Sequence, residues 1–107
     1  MTSVHRLSDF TGGWFVGDFA PSLLRNEHVE VCVKHFKEGD TELDHYQLTA
    51  TEWTLIISGE CIIGDKNLGP GDIIEIPPLE VAGFRALTDV SLVAVKSPSL
   101  PSDKVLA

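Results

Sequence analysis

The feature that most constrains this chain is a period-two alternation confined to short runs, each closed by a turn signal. In His28–Lys37, Val29, Val31 and Val33 share one face with His35, while His28, Glu30, Cys32 and Lys34 share the other. Successive side chains on a strand point to opposite faces, so this pattern predicts a half-buried strand. Glu52–Ser58, Cys61–Ile63, Asp72–Ile76, Phe84 and Ser91–Val95 continue it with β-branched and aromatic residues. Between these runs stand Gly39-Asp40, Ser58-Gly59, Gly64-Asp65-Lys66-Asn67, Gly69-Pro70-Gly71-Asp72, Pro77-Pro78, Thr88-Asp89 and Ser97-Pro98. Glycines free to adopt positive φ and prolines of fixed φ make each a turn. Short strands at this spacing, with no amphipathic helix, predict an all-β barrel or sandwich. Only Pro21–Arg25 reads as a single helical turn, with proline at its start.

At 107 residues the chain is the size of one domain. Residues 1–20 read as an N-terminal arm or first strands, 21–96 as the barrel, and 97–107 as a C-terminal tail or dimer arm, because two prolines keep that end out of a central strand. The net charge of −8 speaks against a nucleic-acid partner, which needs clustered Lys and Arg, and against an anionic membrane surface. The opening residues contain no apolar signal core, and nothing approaches the ~20 apolar residues of a membrane helix. Cys32 and Cys61 lie far apart inside apolar runs and are expected as small buried hydrophobes, which points to a cytoplasmic location.

The chemistry-bearing stretch is Gly39–Gly59, GDTELDHYQLTATEWTLIISG. His45 and Gln47 are two apart and share a strand face, and Glu52 opens the next strand. An imidazole, a carboxamide and a carboxylate are thereby expected to converge at a barrel mouth, where they would hold a polar ligand or a metal. His35 is a further ligand-binding candidate if its valine-rich face turns inward. A phosphate loop at Gly12–Gly17 fails because Asp18 stands where lysine is required. No nucleophile elbow, HExxH or EF-hand loop is present.

At these residues the chain resembles the cupin superfamily, small jelly-roll β-barrels. The first cupin motif is glycine, five residues, His-x-His, four residues, glutamate, six residues, glycine. Gly39, His45, Glu52 and Gly59 keep that spacing, and Gln47 replaces the second histidine. In the second motif Gly71 and Pro77 match, whereas Leu79 stands for glycine, Ala82 for the last metal-binding histidine and Ala86 for asparagine. The resemblance implies a single-domain cupin-like jelly roll and pairing as a homodimer through exchanged strands or terminal arms. It leaves several functions open. One is a module binding a sugar, sugar nucleotide or small carboxylate, or a metal-independent isomerase or epimerase-like catalyst, with His45 as base and Glu52 or Gln47 orienting the ligand. Another is a metal-dependent oxygenase, isomerase or lyase in which His45, Gln47 and Glu52 hold a divalent metal (Mn, Fe, Ni or Zn). A third is a structural subunit whose pocket is filled by aromatic side chains.

Overall fold

Alternation at residues 30–36 and 90–97 resolves into two long antiparallel strands at the heart of the molecule. These are β3 (Glu30–Phe36) and β10 (Val90–Ser97), paired from Val90↔Phe36 to Lys96↔Glu30. The computed structural model describes all 107 residues. Around β3 and β10 it places β1 (Trp14–Gly17), β2 (Leu24–Arg25), β5 (Thr51–Ser58) and β8 (Ile73–Ile76), in the sheet order β2-β1-β3-β10-β5-β8. The second sheet holds β4 (Thr41–Gln47), β6 (Cys61–Ile63), β7 (Lys66–Leu68), β9 (Ala82–Ala86) and β11 (Lys104–Leu106), in the order β11-β4-β9-β6-β7. From β3 onward the chain passes back and forth between the sheets, staying within the second for the β6–β7 hairpin, which is a jelly roll. Only two single 3-10 turns interrupt it, at Leu7–Asp9 and Thr11–Gly13.

The packed core fills one end of the roll. Ile56, Ile63, Phe84, Val90 and Leu92 are buried there from both sheets, and the rings of Phe36 and Phe84 meet with centroids 4.3 Å apart. Burying five such side chains supplies on the order of 10 kcal/mol of apolar transfer free energy. Gly59 closes the β5–β6 turn at φ 86°, where an added Cβ would collide with the Asp89 carbonyl oxygen. That close approach requires glycine at this position.

Three expectations are corrected. Pro21–Arg25 forms no helical turn. Leu24 and Arg25 instead make a short parallel ladder with Val16 and Gly17, as an edge strand can when its neighbour leaves backbone groups unpaired. Residues 97–107 are not a frayed tail. β11 pairs with β4 of its own chain, Ser99 and Asp103 are buried, and the Asp103 carboxylate accepts the Thr49 and Ala50 N–H groups at 2.8–3.0 Å. The two prolines precede β11 and so cost it no ladder hydrogen bond. Finally, the inward face of β3 is the one bearing Glu30, Cys32 and Lys34, while Val31, Val33 and His35 face outward.

Candidate functional site

The ladder registers lay the interior out in rows. Glu30, Lys96 and Glu52 stand side by side on β3, β10 and β5, with Ile76 of β8 beyond. The next row is Cys32, Ala94, Thr54 and Ile74, with Trp14 of β1 beside Cys32. Opposite them, β4 and β9 contribute Glu42, His45, Ala82 and Phe84. A register shift between Glu42 and His45 lets these residues, three apart, both face inward. The rows enclose a cavity of about 410 Å³, whose wall includes Ile63, Phe84 and Leu92 of the packed core.

Two ion pairs lie in the wall of this cavity. Lys96 Nζ lies 3.9 Å from Glu30 Oε1 with both side chains nearly sequestered, and Lys34 Nζ lies 3.8 Å from Glu42 Oε2. Both ammonium groups approach the Trp14 ring, at 4.9 Å for Lys96 and 5.8 Å for Lys34, within cation–π range. The second oxygen of Glu30 accepts the Ser99 hydroxyl at 2.9 Å, and Ser99 Oγ in turn accepts the Asp18 N–H at 2.8 Å. A buried charge needs this degree of partnering to be tolerated. Glu52 is held differently. It has no ion pair, and its Oε2 accepts the Thr54 hydroxyl at 3.1 Å.

His45 lines the same cavity, and its Nδ1 lies 2.8 Å from the Leu43 carbonyl oxygen. A carbonyl only accepts, so Nδ1 carries the proton and donates. In the neutral ring Nε2 is then an unprotonated acceptor, and it has no hydrogen-bond partner in the protein. Cys32 also walls the cavity, but burial pushes its thiol up to about 12, and burial raises the Cys61 thiol too. Neither is a nucleophile near neutral pH. Both cysteines are free and buried, as their apolar context predicts.

The expected site residues separate. His45 and Glu52 share the cavity; Gln47 and His35 do not line it. Gln47 is buried at the end of β4 that the C-terminal segment closes over, opposite Lys104, and its Nε2 finds no hydrogen-bond partner. His35 is exposed on the outer side of β3, because it shares the face of Val31 and Val33, and its Nδ1 lies 2.8 Å from Ser91 Oγ. Nor do the donors present suit a metal. Of the positions to which the resemblance assigns ligands, Gln47 lies outside the cavity and Ala82 has no donor, and no three His, Cys, Asp or Glu side chains come together to hold an ion. Lys96 stands beside Glu52 instead. Aromatic side chains do not fill the space. Sequence reasoning missed Glu30, Lys34, Glu42, Lys96 and Trp14. The available signal was Cys32 between two charges on one strand face.

No family model matches the chain, and no curated protein matches it. Solved structures do. The chain is similar to an uncharacterized conserved protein with a double-stranded beta-helix domain from Klebsiella pneumoniae, at 21% identity and a TM-score of 0.73 over 97% of this chain and 90% of that one. An RmlC-like cupin from Shewanella frigidimarina matches at 21% identity and a TM-score of 0.64 over 71% of each chain. The DMSP lyase DddQ from Ruegeria pomeroyi matches at 18% identity and a TM-score of 0.72, over 94% of this chain and 54% of that one. The fold is thus the double-stranded β-helix of the cupins, as the motif resemblance implied. More particularly, this chain is a roll of that fold whose cavity holds His45 and Glu52 beside the Glu30–Lys96 and Lys34–Glu42 pairs.

Proposed function

We propose that this protein binds a small polar molecule, a monosaccharide, polyol or small carboxylate, inside the roll, and that His45 accepts a proton from it without a metal. The observation that carries this reading is the 2.8 Å hydrogen bond from His45 Nδ1 to the Leu43 carbonyl, which leaves Nε2 as a free base lining the cavity. Glu52 supports it. Oε2 already takes the Thr54 hydroxyl, which steadies the carboxylate and leaves Oε1 to accept a ligand hydroxyl. Lys96, in the same row, supplies positive charge for a ligand carboxylate. The cavity of about 410 Å³ equals roughly fourteen waters at ~30 Å³ each. A monosaccharide or small acid fits inside that space, whereas a sugar nucleotide would protrude from the mouth.

The test is a thermal-shift screen of monosaccharides, polyols and small hydroxy acids in the presence of a chelator. A ligand at a hundred times its dissociation constant stabilises the folded state by about 2.7 kcal/mol. His45→Ala and Glu52→Gln are expected to unfold cooperatively yet lose that stabilisation. Transfer of solvent deuterium into a ligand C–H bond by wild type, and not by His45→Ala, would identify the proton transfer. Equal stabilisation of both variants and wild type would refute the site.

A further inference from the structure

The C-terminal segment that Asp103 holds against the β4–β5 turn also brings a charge to the cavity. Three lysines line that space, Lys34, Lys96 and Lys104. Two are committed: Lys34 pairs with Glu42 and Lys96 with Glu30, and both approach the Trp14 ring. No carboxylate comes within ion-pairing distance of Lys104. The adjacent Asp103 spends both its carboxylate oxygens on the Thr49 and Ala50 N–H groups. Across the ladder, the buried Gln47 Nε2 is a second donor without an acceptor. Ladder partners share a face, so the Lys104↔Gln47 and Leu106↔His45 pairs put Lys104 on the side of His45. Such diagonal neighbours stand ~7–8 Å apart, within reach of a long side chain. With the ion-paired groups set aside, the cavity keeps three charged or titratable partners for a ligand: the base His45, the carboxylate Glu52 and the cation Lys104.

We propose, resting on the reading of His45 and Glu52 above, that Lys104 selects the ligand by taking its carboxylate at the mouth. The ligand class is then a hydroxy monocarboxylate of sugar-acid size. Glu52 fixes which way such a molecule lies, because a carboxylate repels another and accepts a hydroxyl. The hydroxyl-bearing carbons go inward and the acid end stays at Lys104. Lys96 adds positive potential, but drawing its ammonium onto a ligand would strand the buried Glu30, a costly exchange. Lys104 is exposed and gives up only water for a charge-assisted hydrogen bond. A diacid would need a second cation, and both others are taken. A neutral sugar would leave Lys104 unused. The net charge of −8 repels an anion at long range, so an acid needs a local cation at the entrance.

Titration calorimetry with four matched probes tests this: gluconate, its neutral amide, the polyol sorbitol and the diacid glucarate. Wild type is expected to bind gluconate at least about tenfold more tightly than the amide or sorbitol, and glucarate no more tightly than gluconate. Lys104→Met is expected to bring the ratio of acid to neutral affinity within about twofold of one, whereas Lys104→Arg keeps the charge and the preference. Circular dichroism reports the fold of each variant. A second measurement needs no variant: raising NaCl from about 20 to 300 mM is expected to weaken gluconate several-fold and to leave sorbitol unmoved. A gluconate preference that survives Lys104→Met, or neutral probes that bind as well as gluconate, overturns the role of Lys104 and leaves the cavity reading standing. So does a gluconate affinity indifferent to salt. Failure of all four probes to bind wild type, or binding indifferent to His45→Ala, overturns that reading and this inference with it.

Discussion

His45 and Ala82 face each other across the ladder between β4 and β9, both lining the cavity. A methyl group therefore stands where a second imidazole would complete a chelate with His45 and Glu52. Wild type is expected to retain no stoichiometric zinc or manganese after desalting. Ala82→His supplies the third donor that an open metal site needs and is expected to tighten zinc binding at least tenfold, measured by competition calorimetry. Equal affinity in the two proteins would contradict the geometry.

Burial pushes the Cys32 thiol from 9.0 to about 12, so the folded state holds this proton more tightly than the unfolded chain. The contribution to stability is complete below pH 9 and declines as pH rises toward 12. Each pH unit in that window is expected to cost up to roughly 1.4 kcal/mol. Cys61, shifted in the same direction, adds to the decline. Urea denaturation at pH 8, 9 and 10 should show a loss that is smaller in Cys32→Ala. Native protein should also resist thiol alkylation until it unfolds.

Leu79 adopts φ 71°, in the left-handed region where a side chain is strained, and it occupies the place of the motif glycine. Its side chain is 65% exposed, so little packing offsets the strain, while its N–H donates to the Gln47 carbonyl at 2.8 Å. Leu79→Gly keeps that hydrogen bond and is expected to stabilise the fold by about 0.5–1 kcal/mol in equilibrium unfolding. Leu79→Val is expected to destabilise it, since β-branching makes this backbone conformation worse.

Asp103 ties the C-terminal segment to the β4–β5 turn through its bonds to Thr49 and Ala50. Asp103→Ala strands two backbone donors and is expected to cost about 2–4 kcal/mol of unfolding free energy, with a milder loss for Asp103→Asn. No measurable change would mean that residues 97–107 lie loosely on the roll.

Much of the architecture was legible because strands and turns have local signals. The runs at 28–37, 52–58 and 91–95 correspond to β3, β5 and β10, and the cupin motif spacing led to the cavity through His45 and Glu52. Which face of β3 turns inward was not legible. Alternation separates Val31 and Val33 from Glu30 and Lys34 without saying which set meets the other sheet, and a charged interior inverts the usual inference. The irregularity between Glu42 and His45 is equally silent, because a bulge resets the inward set with no residue type that announces it. Gln47 kept its inward parity on β4 yet is covered by a segment more than fifty residues later in the chain, a contact that no local pattern encodes.

Lys34 stands in the ladder row of Leu92 and Ile56, so one of the ion pairs abuts the packed core. Ile63, Phe84 and Leu92 belong to that core and line the cavity as well. Exchanging residues in the row of Lys96 and Glu52 can retune what enters the mouth, whereas exchanging Phe84 or Leu92 alters recognition and folding strength together. Such a scaffold has a rim that is open to revision and a floor that is not.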